Sequence, residues 1–445
     1  MEIPQIKIEN INITTVKVLL QKPNVYVNTI FPIRNVPNRF TSLLSVAVMK
    51  EDYELINYLV SKNADINLHT PKCEAAVILA VKIGNIKIIR KLLELRADVN
   101  IYNQKGEMSL HIAVQKNRHD IVKCLLAHGA NINAPILGSS IYSSLRPLHL
   151  AVVSRSEDMV KLLLDENADI NAKTSTRESA LMKAGLNNDI AMTKFLIARG
   201  AHCISVCPNQ TIIHDLLCYL KHTSVLEYLL SLDESFTDIN IRTNSGESFL
   251  MFSLEYGYGN CEISKLLLDA GDDVDAVNST GQLAIDFEKN RTVGFSVIEK
   301  HIVKLISAGF DVSPRNRLTV VKGFESFHTN CCEEVKKMKM SKVGASQVSF
   351  FNVLLLMNVH DLSVRLKNVS LNGVVDKEKI LSEYLYYGGM LFYKLSKVNR
   401  RIKYLRQIER SVENMLCSAP LLLPYNFVRD LWSYFRNYEL KKLSS

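Results

Sequence analysis

The stretch Gly106–Asn133 reads GEMSLHIAVQKNRHDIVKCLLAHGANIN, and the spacing of its apolar residues decides the fold. Leu110, Ala113 and Val114 recur at intervals of three and four, which puts them on one face of a short helix. Ile121, Val122, Leu125 and Leu126 do the same on a second helix. The polar run Gln115–Asp120 separates the two, and Gly129 follows the second, where a left-handed residue closes a helix. Asn131–Asn133 leads into a polar turn. The result is one helix–turn–helix and a reversal, too small to bury its own apolar face.

The stretch recurs. The phrases NADIN, RADVN and GANIN end at Asn67, Asn100 and Asn133, and Ala47, Ala80 and Ala113 fall in the first helix at the same 33-residue interval. With openings MSLHIA (Met108–Ala113) and RPLHLA (Arg146–Ala151), this period resembles the ankyrin repeat. The resemblance implies an all-α solenoid of stacked repeats. It also implies a structural role for His111, His149 and His214: each opening histidine would bond loop backbone and tie one repeat to the next.

Working outward, VKVLL…VYVN within 1–40 reads as a degenerate N-terminal capping half-repeat, and 41–313 as about eight repeats. Pro135–Leu145 is an insertion, and the last repeats close with AGDDVD and AGFDVS. After Pro314 the period is lost. Of the net charge of +9, the segment 314–445 carries +11 (22 Lys and Arg against 11 Asp and Glu), so the repeat region is close to neutral. This marks 314–445 as a separate helical domain, with one long apolar-periodic segment from Lys377 to Leu416 and a core-helix candidate at Val348–Val359.

The N-terminal MEIPQIKIENINITT lacks the basic and apolar regions of a secretory signal, and no run is long enough for a membrane span. Nine scattered cysteines fit reduced thiols. Together these favour a cytoplasmic protein, with the nucleus as a second location, in its own cell or in a host.

The end of the chain reads APLLLPYNFVRDLWSYFRNYELKKL, Ala419–Leu443. It resembles an F-box: Leu423 and Pro424 form the opening pair, Val428, Leu431, Trp432 and Phe435 one apolar stripe, and Leu440 part of a short second helix. It stops before the third helix of a complete F-box. Repeats followed by such a motif resemble the PRANC arrangement of poxvirus ankyrin proteins, found also in parasitoid wasps and insect endosymbionts. The resemblance implies a substrate adaptor. The array would hold a protein target, and Leu423, Pro424, Val428, Leu431, Trp432, Phe435 and Leu440 would dock on the adaptor subunit of a cullin–RING ubiquitin ligase as a helix in a groove.

In such an array turn-tip identity is not needed for folding and is available for recognition. The repeat register makes His69, Lys72, Tyr102, Lys105, Lys173, Arg177, Arg242 and Asn244 the tip candidates. Lys50, Lys82, Gln115 and Ser154 are the inner-helix candidates. Their bias is basic. Cys203, Cys207, His202 and His214 match no zinc framework, and no nucleophile elbow, phosphate loop or metalloprotease helix is present. The expectation is therefore a monomeric, non-catalytic protein with no cofactor, no metal site and no membrane association. Two alternatives compete with the ligase adaptor. One is a purely sequestering scaffold. The other is a nucleic-acid-associated factor using the basic stripe Lys394, Lys397, Arg400, Arg401, Lys403, Arg406 and Arg410, which lacks base-reading aromatics and is disfavoured.

Overall fold

The 33-residue period becomes pairs of antiparallel helices because each pair buries its apolar residues only against its neighbours. The computed structural model of the chain describes residues 8–22, 24–33, 40–71, 73–138, 144–202, 212–217, 223–232, 239–256, 261–288, 295–319, 324–355, 359–371 and 373–418. It divides into two compact units, Met1–Ala201 and His202–Ser445. That division falls between two repeats, whereas the charge boundary at 313/314 lies inside the second unit.

In the first unit, α1 (Ile13–Leu19) precedes a two-stranded antiparallel sheet of β1 (Ile30–Pro32) and β2 (Phe40–Ser42). Helix pairs follow: α2 (Leu43–Met49) with α3 (Tyr53–Ser61), α4 (Ala76–Ile83) with α5 (Ile86–Glu94), and α6 (Ser109–Gln115) with α7 (His119–Ala127). Next come α8 (Pro147–Val153) with α9 (Glu157–Asp165), and α10 (Ala180–Leu186) with α11 (Ile190–Ala198). The first helices stack on one another, α2 on α4 on α6 on α8 on α10. With neighbours on both sides and a partner behind, α6 is buried over Ser109–Val114, including Ile112, which falls outside the face read from sequence. The second helices keep one wet face: α7 buries only Ile121, Val122, Cys124 and Leu125.

Two left-handed residues per repeat make the chain reversals. Between the helices of each pair stand Glu51, Gly84, Asn117, Arg155 and Asn188, and after the second helices stand Asn63, Arg96, Gly129, Asn167 and Gly200, all with positive φ. The closing asparagines form a ladder. The side-chain oxygen of Asn67 accepts the Asp98 N–H at 2.8 Å, that of Asn100 the Asn131 N–H at 2.8 Å, and that of Asn133 the Asp169 N–H at 2.9 Å. Asn28 does the same for Asp65 at 2.8 Å, while α1 packs on α3 and Lys50 Nζ donates to Ile11 O at 2.6 Å.

The second unit continues with α12 (Ile212–Leu217), α13 (Ser224–Ser231), α14 (Phe249–Tyr256), α15 (Cys261–Ala270), α16 (Ala284–Glu288) and α17 (Phe295–Ala308). Its last part comprises α18 (Pro314–Thr319), α19 (Glu325–Met340), α20 (Phe350–Leu355), α21 (Val359–Leu366), α22 (Lys377–Glu383) and α23 (Gly388–Ser418). The apolar-periodic segment Lys377–Leu416 holds two helices, α22 and most of α23. The reason is a tertiary contact. The Glu334 carboxylate accepts the N–H groups of Tyr386 (3.0 Å) and Tyr387 (2.8 Å), which starts a new helix there, and Tyr384 and Tyr387 are driven into the core. The Val348–Val359 segment likewise holds the whole of α20 and the first residue of α21. α23 packs on α13 and α15 of the repeats and on α20, α21 and α22. Gly389 permits this contact: a Cβ there would lie 2.1 Å from Asp269 Oδ2 on α15.

Candidate protein-binding surface

His111 and His149 work through both ring nitrogens. His111 Nδ1 accepts the Met108 N–H at 3.0 Å and its Nε2 meets Ala134 O at 2.9 Å, in the next repeat. His149 Nδ1 accepts the Arg146 N–H at 3.2 Å and its Nε2 meets Ala172 O at 3.1 Å. Accepting at Nδ1 requires the proton on Nε2, so the neutral ring is the form that fits. Burial lowers the pKa of both, to about 4 for His149. His214 is buried against Phe249 (ring centroids 4.3 Å) and Phe252, and desolvation lowers its pKa to about 4, aided by Arg242. Asp286 stands where the opening histidine would be in its repeat and accepts the Leu283 N–H at 2.9 Å.

The openings are fed by short hairpins. Asn103 N–H donates to Glu107 O (2.8 Å), Thr174 to Glu178 (3.0 Å), Thr243 to Glu247 (3.1 Å) and Asn278 to Gln282 (3.1 Å). The side-chain oxygens of Asn103, Thr174, Thr243 and Asn278 accept the same four residues' N–H groups at 2.8–3.1 Å. This Asn/Thr-x-x-x-Glu/Gln signal stands in the sequence, and the apolar periodicity does not carry it. Neighbouring hairpins are bonded tip to tip. Leu137 N–H donates to Gly106 O (2.9 Å) and Ser279 N–H to Ser245 O (2.9 Å). Gly106, at φ +73°, has no room for a side chain, since a Cβ would lie 1.5 Å from Leu137 O.

The hairpins carry most of the expected tip residues. His69 is exposed beside the Thr70–Cys73 bridge, Tyr102 is half-buried opposite Met108, and Lys105 is exposed at the turn. Lys173 is half-buried opposite Ser179, and Arg177 is exposed at φ +64°. Asn244 is exposed, and Arg242 turns inward to within 3.8 Å of the buried Asp272. Lys72 lies outside the described residues, as do Cys203 and Cys207. Gln115 Nε2 donates to Glu107 Oε1 at 3.3 Å and Lys82 pairs with Glu74, so these two of the four inner-helix candidates brace their own hairpin. An open groove of about 540 Å³ lies between the hairpins at His69–Ala75 and Tyr102–Gln104.

In the second unit a cavity of about 400 Å³ is lined by His301, Phe310, Met390, Lys394 and a series of aspartates. Those aspartates are engaged: Asp269 with Lys304 at 3.7 Å, Asp275 with Ser313 N–H at 2.8 Å and Asp311 with Arg317 at 2.8 Å. The basic stripe of α23 is divided. Lys397 and Arg401 are buried, Arg400 is half-buried and Lys394 Nζ donates to Leu354 O at 3.0 Å, while Lys403, Arg406 and Arg410 are exposed, Arg406 reaching Lys367 O. Seven cations therefore do not form one solvent-facing row. The docking set Leu423, Pro424, Val428, Leu431, Trp432, Phe435 and Leu440 lies outside the described residues. Among the described residues no helix is long and apolar enough to cross a membrane.

Comparison with known proteins follows the same lines. The model of a family described as ankyrin repeats (three copies) matches residues 44–136, 77–174, 137–207 and 181–278, more than half of the chain. The chain belongs to the ankyrin-repeat family, a non-catalytic scaffold whose partners are proteins. Among solved structures it is similar to the ankyrin repeat domain of Bcl-3, described as a unique member of the IkappaB protein family. Identity is 19%, with a TM-score of 0.36, over 58% of this chain and 97% of that one. No curated protein matches.

Proposed function

We propose that this protein is a substrate-recruiting adaptor for a cullin–RING ubiquitin ligase. The hairpin edge of its repeats holds a protein target, and residues 419–443 dock on the ligase adaptor subunit. The observation that carries the target-binding half is the recurring hairpin within each unit, with exposed residues such as Lys105, Arg177 and Asn244 at its turn. The ligase half is supported by the F-box-like order of Leu423, Pro424, Leu431, Trp432 and Phe435. The test is co-purification from cell extract with a Leu423→Ala/Pro424→Ala/Trp432→Ala variant. Loss of the ligase adaptor subunit is expected, and its retention sinks the ligase role.

One observation favours a second reading, a sequestering scaffold without a ligase link: α23 packs on α13 and α15, which gives the C-terminal helices a structural role in closing the array. Under that reading, deleting 419–445 leaves partner binding intact and removes no ligase component. The proposed site of action is the cytoplasm, with the nucleus second.

A further inference from the structure

The first unit is electrically two-sided. Its first helices and hairpins form one layer and its second helices another, because first helices stack on first helices and α5 stacks on α7. The hairpin and first-helix stretches 69–84, 102–117, 134–155 and 173–188 hold nine lysines and arginines and only three acidic residues, Glu74, Glu107 and Glu178. The second-helix stretches 51–68, 85–101, 118–133, 156–172 and 189–201 hold ten basic and thirteen acidic residues.

All three carboxylates on the hairpin layer are already occupied. Glu74 pairs with Lys82. Glu107 accepts from Asn103 Nδ2 at 2.9 Å and from Gln115. Glu178 pairs with Lys183 at 2.6 Å and accepts from Thr176 at 2.7 Å. Lys105 and Lys173, at the hairpin ends, make no ion pair among the described residues. The stretch 135–145, whose Leu137 bonds Gly106 O, adds no acidic residue. The field on this edge is therefore positive with little internal compensation. Such a field attracts acidic chains and repels basic ones. The open groove between His69 and Tyr102 adds a depression to that field, with ample room for a side chain.

We propose that the hairpin edge of Met1–Ala201 binds an acidic, extended segment of its partner protein, with one side chain of that segment seated between His69 and Tyr102. This rests on the target-binding reading above and narrows it to one chemistry.

The test pans a random linear-peptide display library on the full chain and measures the winners by fluorescence anisotropy. Acidic peptides are expected, with affinity falling as salt rises. Lys105→Glu/Lys173→Glu is expected to weaken them about tenfold or more. The same charge change on the other layer, at the exposed Lys87→Glu/Arg90→Glu, is expected to leave them unchanged. Neutral or basic winners that are lost with Tyr102→Ala but indifferent to charge reversal overturn the acidic inference and leave the hairpin edge as the binding surface. Acidic winners weakened equally by both charge reversals show an unlocalised charge effect and overturn it too. Winners untouched by any hairpin substitution, or no winners, remove both this inference and the target-binding reading.

Discussion

Acid should loosen the repeats through their histidines, and His149 gives the cleanest measure. In the folded chain its pKa is lowered to about 4, chiefly by burial, against an ordinary value of 6.5. The unfolded chain thus binds more protons between those values, and stability is full above about pH 6.5 and lost as pH falls toward 4. A shift of this size, at about 1.4 kcal/mol per pH unit, amounts to roughly 2.5 kcal/mol lost by pH 4.5 from this residue alone. The cause is structural: protonating Nδ1 removes the acceptor for the Arg146 N–H and puts a charge where the ring is 0% exposed. His149→Leu removes two hydrogen bonds and leaves Ala172 O without the ring, at about 2–3 kcal/mol near pH 7.5. The leucine does not titrate, so wild type and variant should converge as pH falls. The assay is hydrogen exchange of the α8 amides in the full chain, corrected for intrinsic rates, at pH 7.5 and 4.5. A gap between the two proteins that stays constant across that range refutes the argument.

Three further outcomes are expected. Asn100→Ala breaks bonds to the Asn131 N–H and, at 3.1 Å, to Gly129 O; the adjoining loops should lose about 1 kcal/mol of exchange protection, with little change in helices two repeats away. Gly389→Ala drives a methyl into Asp269, so thermal unfolding should show a loss of about 1–3 kcal/mol, partly recovered in Gly389→Ala/Asp269→Ala; a silent substitution contradicts the close approach. Asp272 is fully buried and its pKa is raised to about 7 by desolvation, so its ionised form burdens the folded state as pH rises from about 4 to 7. Asp272→Asn should therefore exceed wild type in stability by a margin that grows over that interval and then levels off. Equal denaturation midpoints at pH 5 and pH 8 argue against it.

The repeating helix pair was legible because its information is local and periodic. Leu110, Ala113 and Val114 specify a helical face wherever they occur, and the 33-residue return of the asparagines announces neighbours of identical kind. The positions of Tyr102, Lys105, Lys173 and Arg177 on hairpins follow from the same register. What each asparagine bonds was not legible, because its partner N–H lies 31 to 36 residues further on.

The sequence by itself determined that this chain is a row of small helical units, since alternating apolar and polar spacing and recurring turn residues act within one repeat. Tertiary structure alone decided which surface charges are compensated. Lys82 is paired with Glu74, Arg242 turns inward to Asp272, and the basic row of α23 is split between core and solvent. Tertiary structure also decided that the segment Lys377–Leu416 divides into two helices, because the carboxylate that starts the second comes from Glu334 on another helix. A charge in a sequence carries no record of its partner, and only packing brings the two within reach.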